Sequence, residues 1–148
     1  MQKITCLYIT FNGLTDPLGQ SQVLPYLKDL SQQGIKFYLI SLEKDLKKAG
    51  ALADGVKSFG IKWYRLKYFQ YGAVGVMLNI LQCFLWSFYL LATKKINVIH
   101  ARSYYPLFSV LLLKKIFGAK LIFDMRGFWP EELVDSGRIK KNRRITNC

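Results

Sequence analysis

The chain has 148 residues, which suits one domain with a sizeable core, and 51% of them are hydrophobic against 21% charged. That balance excludes a chain that is disordered throughout. The net charge of +13 favours anionic partners, namely phosphates, nucleic acid or an acidic membrane surface, but does not choose among them.

Segments of strand and helix length alternate along the chain. Residues 4–11 form a nearly continuous apolar run, which predicts a strand buried on both faces, as in parallel sheets. A loop rich in Gly, Asp and Pro follows over residues 12–19. Beyond it we predict helices at residues 23–33, 46–59, 73–93 and 107–117, and strands at residues 37–42, 61–66, 98–101 and 121–123.

This alternation predicts parallel strands joined by right-handed crossovers. The expected fold class is therefore α/β, with a single Rossmann-like doubly wound parallel sheet of about five strands and helices on both faces. The apolar pattern ends after Val134, and five basic residues lie in the last eleven positions. We therefore predict one domain over residues 1–137 and a basic, disordered tail over residues 138–148.

The cysteines and the single histidine argue against a metal centre. Cys6, Cys83 and Cys148 show no CxxC spacing, and one histidine cannot complete a typical zinc site. An odd number of cysteines without a disulfide framework is typical of a reduced, cytoplasmic protein. We expect no metal.

The ligand site is predicted from topology. In open doubly wound sheets, ligands bind beyond the carboxyl ends of the strands, where the strand order reverses. For the order 3-2-1-4-5 this point lies between strands one and four, which lead into residues 12–22 and 100–105. The fifth strand ends nearby. This edge therefore collects the candidate site residues Asp16, Gly19, His100, Arg102, Asp124 and Arg126.

Each candidate also has a structural interpretation. Gly19 would allow a positive φ in a long turn, and His100 would be a hydrogen-bonded core histidine. Arg102 and Arg126 would pair with Asp124 or Asp16, although two arginines beside a cleft also suit bidentate recognition of phosphate. The first loop matches neither GxGxxG nor GxxxxGK[ST], which disfavours a dinucleotide site and a P-loop.

Three segments carry a family resemblance. GLTDPLGQSQV at residues 13–23, VIHARS at residues 98–103 and FDMRGFW at residues 123–129 resemble the N-terminal domain of bacterial family-4 glycosyltransferases of the GT-B fold. The resemblance runs over residues 3–137. It implies two Rossmann-like domains that face each other across a cleft, with the acceptor on the N-terminal domain and the nucleotide sugar on the other. It also implies transfer with retention, with no cofactor beyond the nucleotide sugar as co-substrate.

The resemblance also implies roles for individual residues. Gly19 would offer a backbone N–H to the donor diphosphate. His100, the candidate catalytic residue, would contact the donor sugar or the reacting centre. The acceptor side would be lined by Asp16, Arg102, Asp124 and Arg126, which we infer from their placement.

No segment of these 148 residues resembles the family's second domain, which carries a Lys/Arg pair for the diphosphate and a Glu-containing motif for the nucleotide sugar. We therefore expect a family member truncated before its donor-binding domain and inactive alone. Its function would be acceptor binding during sugar transfer to a glycan or lipid-linked acceptor in surface polysaccharide synthesis, and a separate donor-binding chain would be its partner.

Two alternatives stay open. The chain could be a non-catalytic remnant or partner subunit that binds an anionic acceptor. It could also be a basic nucleic-acid-binding protein, as the charge and the many aromatic residues suggest. The absence of RNP-like, zinc-finger and helix-turn-helix patterns, and the scatter of the basic residues outside the tail, argue against nucleic acid.

Residues 73–93 contain no charged side chain, and as a helix they would be about 31 Å long, enough to cross a bilayer. Three interpretations are open: a spanning helix, a helix whose outer side touches lipid beside Arg65, Lys67, Lys94 and Lys95, or a helix covered by protein. We expect a cytoplasmic protein, with peripheral contact at the inner face of the plasma membrane as the membrane alternative.

Overall fold

A computed structural model describes residues 3–125. In chain order the elements are β1 (Thr5–Thr10), a π-helical turn (Gly19–Val23), α1 (Leu24–Gln32), β2 (Lys36–Glu43), α2 (Leu46–Ser58), β3 (Lys62–Lys67), α3 (Gly72–Thr93), β4 (Val98–Arg102), α4 (Tyr104–Phe117) and β5 (Lys120–Asp124). The five strands form one parallel sheet in the order β3-β2-β1-β4-β5. The predicted fold class and strand order are confirmed.

The sheet is buried on both faces because alternate side chains of its central strand enter two different cores. Leu7 and Ile9 of β1 pack with buried residues of α3 and α4. Cys6 and Tyr8 pack on the opposite face with buried residues of α1 and α2. Continuous hydrophobicity in a strand arises from this double burial, as the sequence predicted.

The helix ends follow local chemistry. The Asp45 side chain caps α2 by accepting hydrogen bonds from the backbone N–H groups of Lys47 and Lys48, at 2.9 and 3.1 Å. Gly118 ends α4 in the left-handed conformation, with φ of 65°, which glycine adopts without a steric penalty. Helix α4 begins at Tyr104, three residues before its predicted start. The prediction missed this first turn because it depended on apolar periodicity, which the turn lacks.

Cys6 and Cys83 are free and buried, and desolvation raises the pKa of each thiol to about 12. Both are therefore protonated core side chains at neutral pH. Arg126, Cys148 and the predicted tail lie outside the described residues.

Candidate functional site

Two cavities lie where β1 and β4 run side by side. One, of about 460 Å³, opens at the carboxyl edge of the sheet between the residues that follow β1 and those that follow β4. We call it the edge cavity. The other, of about 350 Å³, lies on the α1 face of β4 and β5, and we call it the face cavity. Arg102 lines both. The predicted meeting of the two strand exits is present, because Thr10 of β1 pairs with Arg102 of β4.

The Arg102 side chain is held by more polar contacts than the other cations of the site. Only 6% of the residue is exposed, yet its guanidinium has three partners. Nη2 donates to Oε1 of Gln22 at 2.8 Å, Nη1 donates to the Tyr8 hydroxyl at 3.3 Å, and Nη1 lies 3.6 Å from an Asp124 carboxylate oxygen. The Nε atom is buried without a hydrogen-bond partner. A fixed, buried guanidinium whose Nε–H is unpaired has the chemistry that suits a phosphate or carboxylate ligand.

His100 lies two residues inside β4, so its ring faces the α1 side of the sheet rather than the loop. The register sets this position by pairing His100 with Tyr8, and the two ring centroids are 4.5 Å apart. The residue is 6% exposed, and Nε2 has no hydrogen-bond partner. Burial lowers the pKa of the imidazole, and Arg102 adds to this effect while Asp124 opposes it. A neutral imidazole can donate or accept a hydrogen bond at its unused nitrogen, but Nε2 is shielded from solvent and would reach a ligand in the face cavity only after neighbouring side chains move.

Gly19 is buried and lies against the start of its own loop. A Cβ atom here would overlap the Gly13 carbonyl oxygen and lie 2.7 Å from the Leu14 Cα. Gly19 does not have a positive φ, so the interpretation that it permits a left-handed turn is wrong. Close backbone approach is the reason for glycine at position 19.

Glu43, which sequence reasoning missed, organises the same loop from the end of β2. This fully buried carboxylate accepts hydrogen bonds from the backbone N–H of Leu14 at 2.7 Å, from the Thr15 hydroxyl at 2.8 Å and from the Ser41 hydroxyl at 2.6 Å. Buried carboxylates need such partners to offset desolvation. The one sequence signal was a charged residue ending the apolar run of the second strand.

Asp16 lies at the rim, where its carboxylate pairs with Lys44 Nζ at 3.2 Å. Its side chain is 27% exposed and that of Lys44 is 52% exposed. Lys44 lines the edge cavity, whereas Arg102 pairs with Asp124 and not with Asp16. The structure thus brings His100, Arg102 and Asp124 together and leaves Asp16 in a separate pair. Arg126 lies outside the described residues.

Ser103 holds a strained backbone at the exit of β4. Its φ of 79° and ψ of 172° belong to a region that glycine normally occupies, at a cost of about 1–3 kcal/mol for other residues. Its N–H donates to the Asp124 carbonyl oxygen at 2.9 Å, which helps to fix the turn. Strain of this kind concentrates at ligand-binding sites, and Ser103 lines the edge cavity.

The edge cavity combines aromatic and polar surface. Phe11 and Tyr105 stack with centroids 5.5 Å apart, beside Asn12 and Asn79. Asn79 is anchored, since it exchanges two 3.0 Å hydrogen bonds with the backbone of Phe69. Among residues 3–125, no three His, Cys, Asp or Glu side chains come together to hold a metal ion. The groups available are neutral hydrogen-bonding groups, an aromatic pair and two cations.

Comparison with known proteins supports the fold. No family model and no curated protein matches the chain. A glycosyltransferase from Rickettsia africae is similar in structure, with a TM-score of 0.62, 17% identity, and coverage of 92% of this chain and 34% of that one. The C-terminal domain of a hydrogenase from Pyrococcus furiosus has a TM-score of 0.61 and 12% identity, over 84% of this chain and 93% of that one.

A UDP-N-acetylglucosamine 2-epimerase is also similar, with a TM-score of 0.51 and 8% identity over 82% of this chain. The present chain spans about a third of the length of the glycosyltransferase and of the epimerase, at 34% and 33%. At these identities the likeness shows a shared Rossmann-like fold. Because the hydrogenase domain has the fold as well, function has to be argued from the site.

Proposed function

We propose that this chain supplies the acceptor-binding domain of a glycosyltransferase, which moves a sugar from a nucleotide-sugar donor to a glycan or lipid-linked acceptor. The observation that carries the proposal is the edge cavity itself. It lies at the point of strand-order reversal, and its wall includes the buried Arg102 and the more exposed Lys44.

The chemistry of the cavity suits a sugar that is linked to phosphate. Sugars present many hydroxyl groups around an apolar ring, so their sites combine placed hydrogen-bonding groups with aromatic surface. Asn12 and Ser103 can supply hydrogen bonds, and the Phe11–Tyr105 pair supplies aromatic surface. Arg102 and Lys44 are paired with the carboxylates of Asp124 and Asp16, and they would share or exchange these partners to bind a diphosphate or an acidic sugar. These features favour an anionic, lipid-linked acceptor over a neutral glycan.

In this proposal the face cavity holds the second contact. His100 Nε2 and Arg102 Nε are both buried without partners, and both residues line that cavity. Leaving each of these atoms unpaired is costly, and because both are shielded from solvent, a ligand in the face cavity would satisfy them only after neighbouring side chains move. We assign them to the part of the substrate nearest the reacting centre. His100 then acts as a neutral hydrogen-bonding group there, rather than as a charged acid.

Such a transferase also needs a domain that binds the nucleotide sugar. We propose a second Rossmann-like domain facing the carboxyl edge of the sheet, where Gly19 would offer its backbone N–H to the donor diphosphate. The stabilisation of the leaving diphosphate would then come mostly from that domain. We therefore expect the 148-residue chain by itself to bind acceptor and to transfer no sugar.

Binding of acceptor can be measured directly with the full chain. A short-chain prenyl-diphosphate monosaccharide should bind more tightly than UDP-sugars in calorimetry, and it should shift backbone amide NMR signals at residues 10–12 and 103–105. Lys44→Gln should weaken binding about tenfold, which is about 1.4 kcal/mol. Lys47→Gln, an exposed lysine on α2, is the matched control and should leave affinity unchanged.

Two results would count against the proposal: tighter binding of the nucleotide sugar than of the acceptor, or equal effects of the two lysine substitutions. Sugar transfer by the chain alone would overturn the expected division between domains. If the acceptor binds but no donor-binding partner restores transfer, the alternative of a non-catalytic binding subunit is favoured. Tight DNA binding that collapses with salt would instead revive the nucleic-acid alternative.

A further inference from the structure

The outer sides of α3 and α4 expose an unusual amount of apolar surface. Among residues 3–125, these two helices carry twelve exposed large hydrophobic side chains, whereas α1 and α2 carry one each, Tyr26 and Leu46. On α3 they are Val74, Met77, Leu78, Leu81, Leu85, Trp86, Phe88 and Tyr89, and on α4 they are Phe108, Leu111, Leu112 and Ile116. We call these twelve residues the outer apolar surface.

The spacing makes this surface continuous. Positions 74, 77, 78, 81, 85, 88 and 89 recur every three or four residues and so form one stripe along α3. The stripe joins α4 through the Phe88 and Phe117 rings, which meet edge to face with centroids 5.6 Å apart. Contiguous apolar patches of this kind mark interaction sites, since monomeric soluble proteins rarely leave them exposed.

The charge of this half of the chain indicates the partner. Between Gly55 and Phe123 the sequence has ten lysines and arginines and no aspartate or glutamate. Lys114 and Lys115 lie exposed in the last turn of α4, and Lys94 and Lys95 directly follow α3. Since both helices run antiparallel to the strands they connect, their carboxyl ends lie at the same end of the sheet. Four lysines thus gather at one end of the outer apolar surface.

We propose that the outer apolar surface docks on an anionic lipid bilayer, with α3 and α4 lying along the membrane and the four lysines at the headgroups. Interfacial helices with an apolar side and basic neighbours bind such membranes by burying apolar area and by electrostatic attraction. The proposal does not depend on the function of the edge cavity. Val76 and Asn79 of α3 line that cavity, however, so docking would bring its wall close to lipid.

A membrane-spanning role fits the structure less well. Helix α3 is the one helix within residues 3–125 that is long and apolar enough to cross a membrane, and 33% of its most apolar window is buried. Its inner side is committed to the fold: Asn79, Cys83 and Leu90 are fully buried, and Asn79 is tied to the Phe69 backbone. Insertion across the bilayer would remove these side chains from the sheet.

A second copy of the chain is also a weaker candidate. An isologous dimer through this surface would place the same basic half of each protomer against the other. Helices α3 and α4 offer no carboxylate to pair with Lys94, Lys95, Lys114 and Lys115 of the other protomer, so the surface has no charge complementarity to a second copy of itself. An anionic bilayer satisfies both the apolar and the charge requirement.

Vesicle flotation of the full chain tests the proposal. We expect binding to vesicles of phosphatidylcholine and phosphatidylglycerol at 7:3, and weak binding to phosphatidylcholine alone. Leu81→Glu and Leu85→Glu should each reduce binding at least tenfold, whereas Leu46→Glu, at a similar exposure on α2, should not. Lys114→Gln with Lys115→Gln should reduce binding about tenfold, and Lys47→Gln with Lys48→Gln should leave it nearly unchanged.

A second measurement detects contact without relying on loss of binding. Leu81→Trp should show fluorescence quenching by lipids with brominated acyl chains beyond that of the unsubstituted chain, and Leu46→Trp should not. The proposal fails if the chain does not float with anionic vesicles, or if the Leu81 and Leu46 variants behave alike. Retention in membranes after alkaline carbonate extraction would show a spanning helix instead. A lipid-free dimer that Leu81→Glu dissociates would show that a second copy covers the surface.

Discussion

The two helical layers of this domain have similar interiors and different exteriors. Helices α1 and α2 bury Leu27 and Val56 against one face of the sheet, and α3 and α4 bury Leu90 and Leu113 against the other. The outer side of α2 is mostly polar, with exposed residues such as Lys47 and Asp54. The outer sides of α3 and α4 are apolar.

The difference shows that the inner and outer sides of a helix are set by different requirements. Packing on the sheet requires apolar side chains only on the inner side of a helix. The polarity of the outer side chains therefore indicates the environment that this side of the domain contacts. The mostly polar outer side of α2 suits contact with water. The outer sides of α3 and α4 expose contiguous apolar residues, a pattern that is rare on monomeric soluble proteins and that marks interaction sites.

The largest expected effects come from the inner residues and should be alike on both sides. Leu27→Ala in α1 and Leu90→Ala in α3 each empty a fully buried site, and each should lower the free energy of unfolding by about 2–5 kcal/mol. Urea denaturation followed by circular dichroism would measure both. A loss of stability confined to Leu27→Ala would mean that α3 is not packed on the sheet in solution, and the two layers would then not have similar interiors.

Two glycines, one before α1 and one in α3, each lie close to a backbone carbonyl group. Gly19→Ala would drive a Cβ atom into the Gly13 carbonyl oxygen, and Gly75→Ala would place one 2.6 Å from the Phe69 carbonyl oxygen. Each should destabilise by about 1–3 kcal/mol. Gly55→Ala is the control, because nothing lies within 4 Å of its Cβ position, and it should stabilise α2 by roughly 0.5–1 kcal/mol. Thermal melts would rank the three; a neutral Gly19→Ala would refute the tight loop.

The free energy of unfolding should depend on pH through His100, which lies on the α1 side of the sheet. Burial lowers the pKa of the folded imidazole below its ordinary value of about 6.5, so the unfolded chain binds the proton more readily. Stability therefore falls as pH drops below about 6.5, by at most about 1.4 kcal/mol per pH unit. His100→Phe should remove this slope between pH 7 and pH 5 in denaturation curves. Parallel curves for the two proteins would show that the imidazole is solvated and freely protonated.

The smallest effect on stability is expected from the outer residues. Without lipid, Leu81→Glu on α3 and Leu46→Glu on α2 should both lie within about 0.5 kcal/mol of the unsubstituted chain, because neither side chain is buried. Solubility of the Leu81 variant should rise. A clear loss of stability in Leu81→Glu alone would mean that its surface is already covered within the folded chain.

Much of the fold was predictable from sequence because its patterns are local. Apolar runs predicted the five strands, and three- and four-residue spacing predicted the four helices. Gly34, Gly60 and Gly118 lie at or next to the ends of α1, α2 and α4 with positive φ, where glycine is favoured. The alternation of elements predicted a doubly wound sheet, and the usual strand order of that fold is the one observed. The start of α4 was missed because its first turn has no apolar periodicity.

The sequence predicted at which edge of the sheet the candidate site lies, but not the burial or the contacts of its side chains. Topology brought Arg102 and Asp124 together, and the structure pairs them at 3.6 Å. The burial of His100 depends on the register of β4 against β1, and the role of Glu43 depends on a loop 28 or 29 residues away in sequence. Neither relation has a local signature. The assigned roles in sugar transfer remain predictions.

The amino-acid sequence by itself determined the class of fold and the basic, apolar character of residues 55–123, because periodicity and composition act over short distances. The order of strands was taken as the usual one for that class, and the tertiary structure confirms it. Tertiary structure decided which apolar residues of α3 and α4 face the sheet and which are left outside. It also decided that the buried carboxylate of Glu43 accepts hydrogen bonds from the first loop and that Arg102 lines two cavities. These depend on contacts between residues far apart in the chain, where packing and desolvation outweigh any local preference.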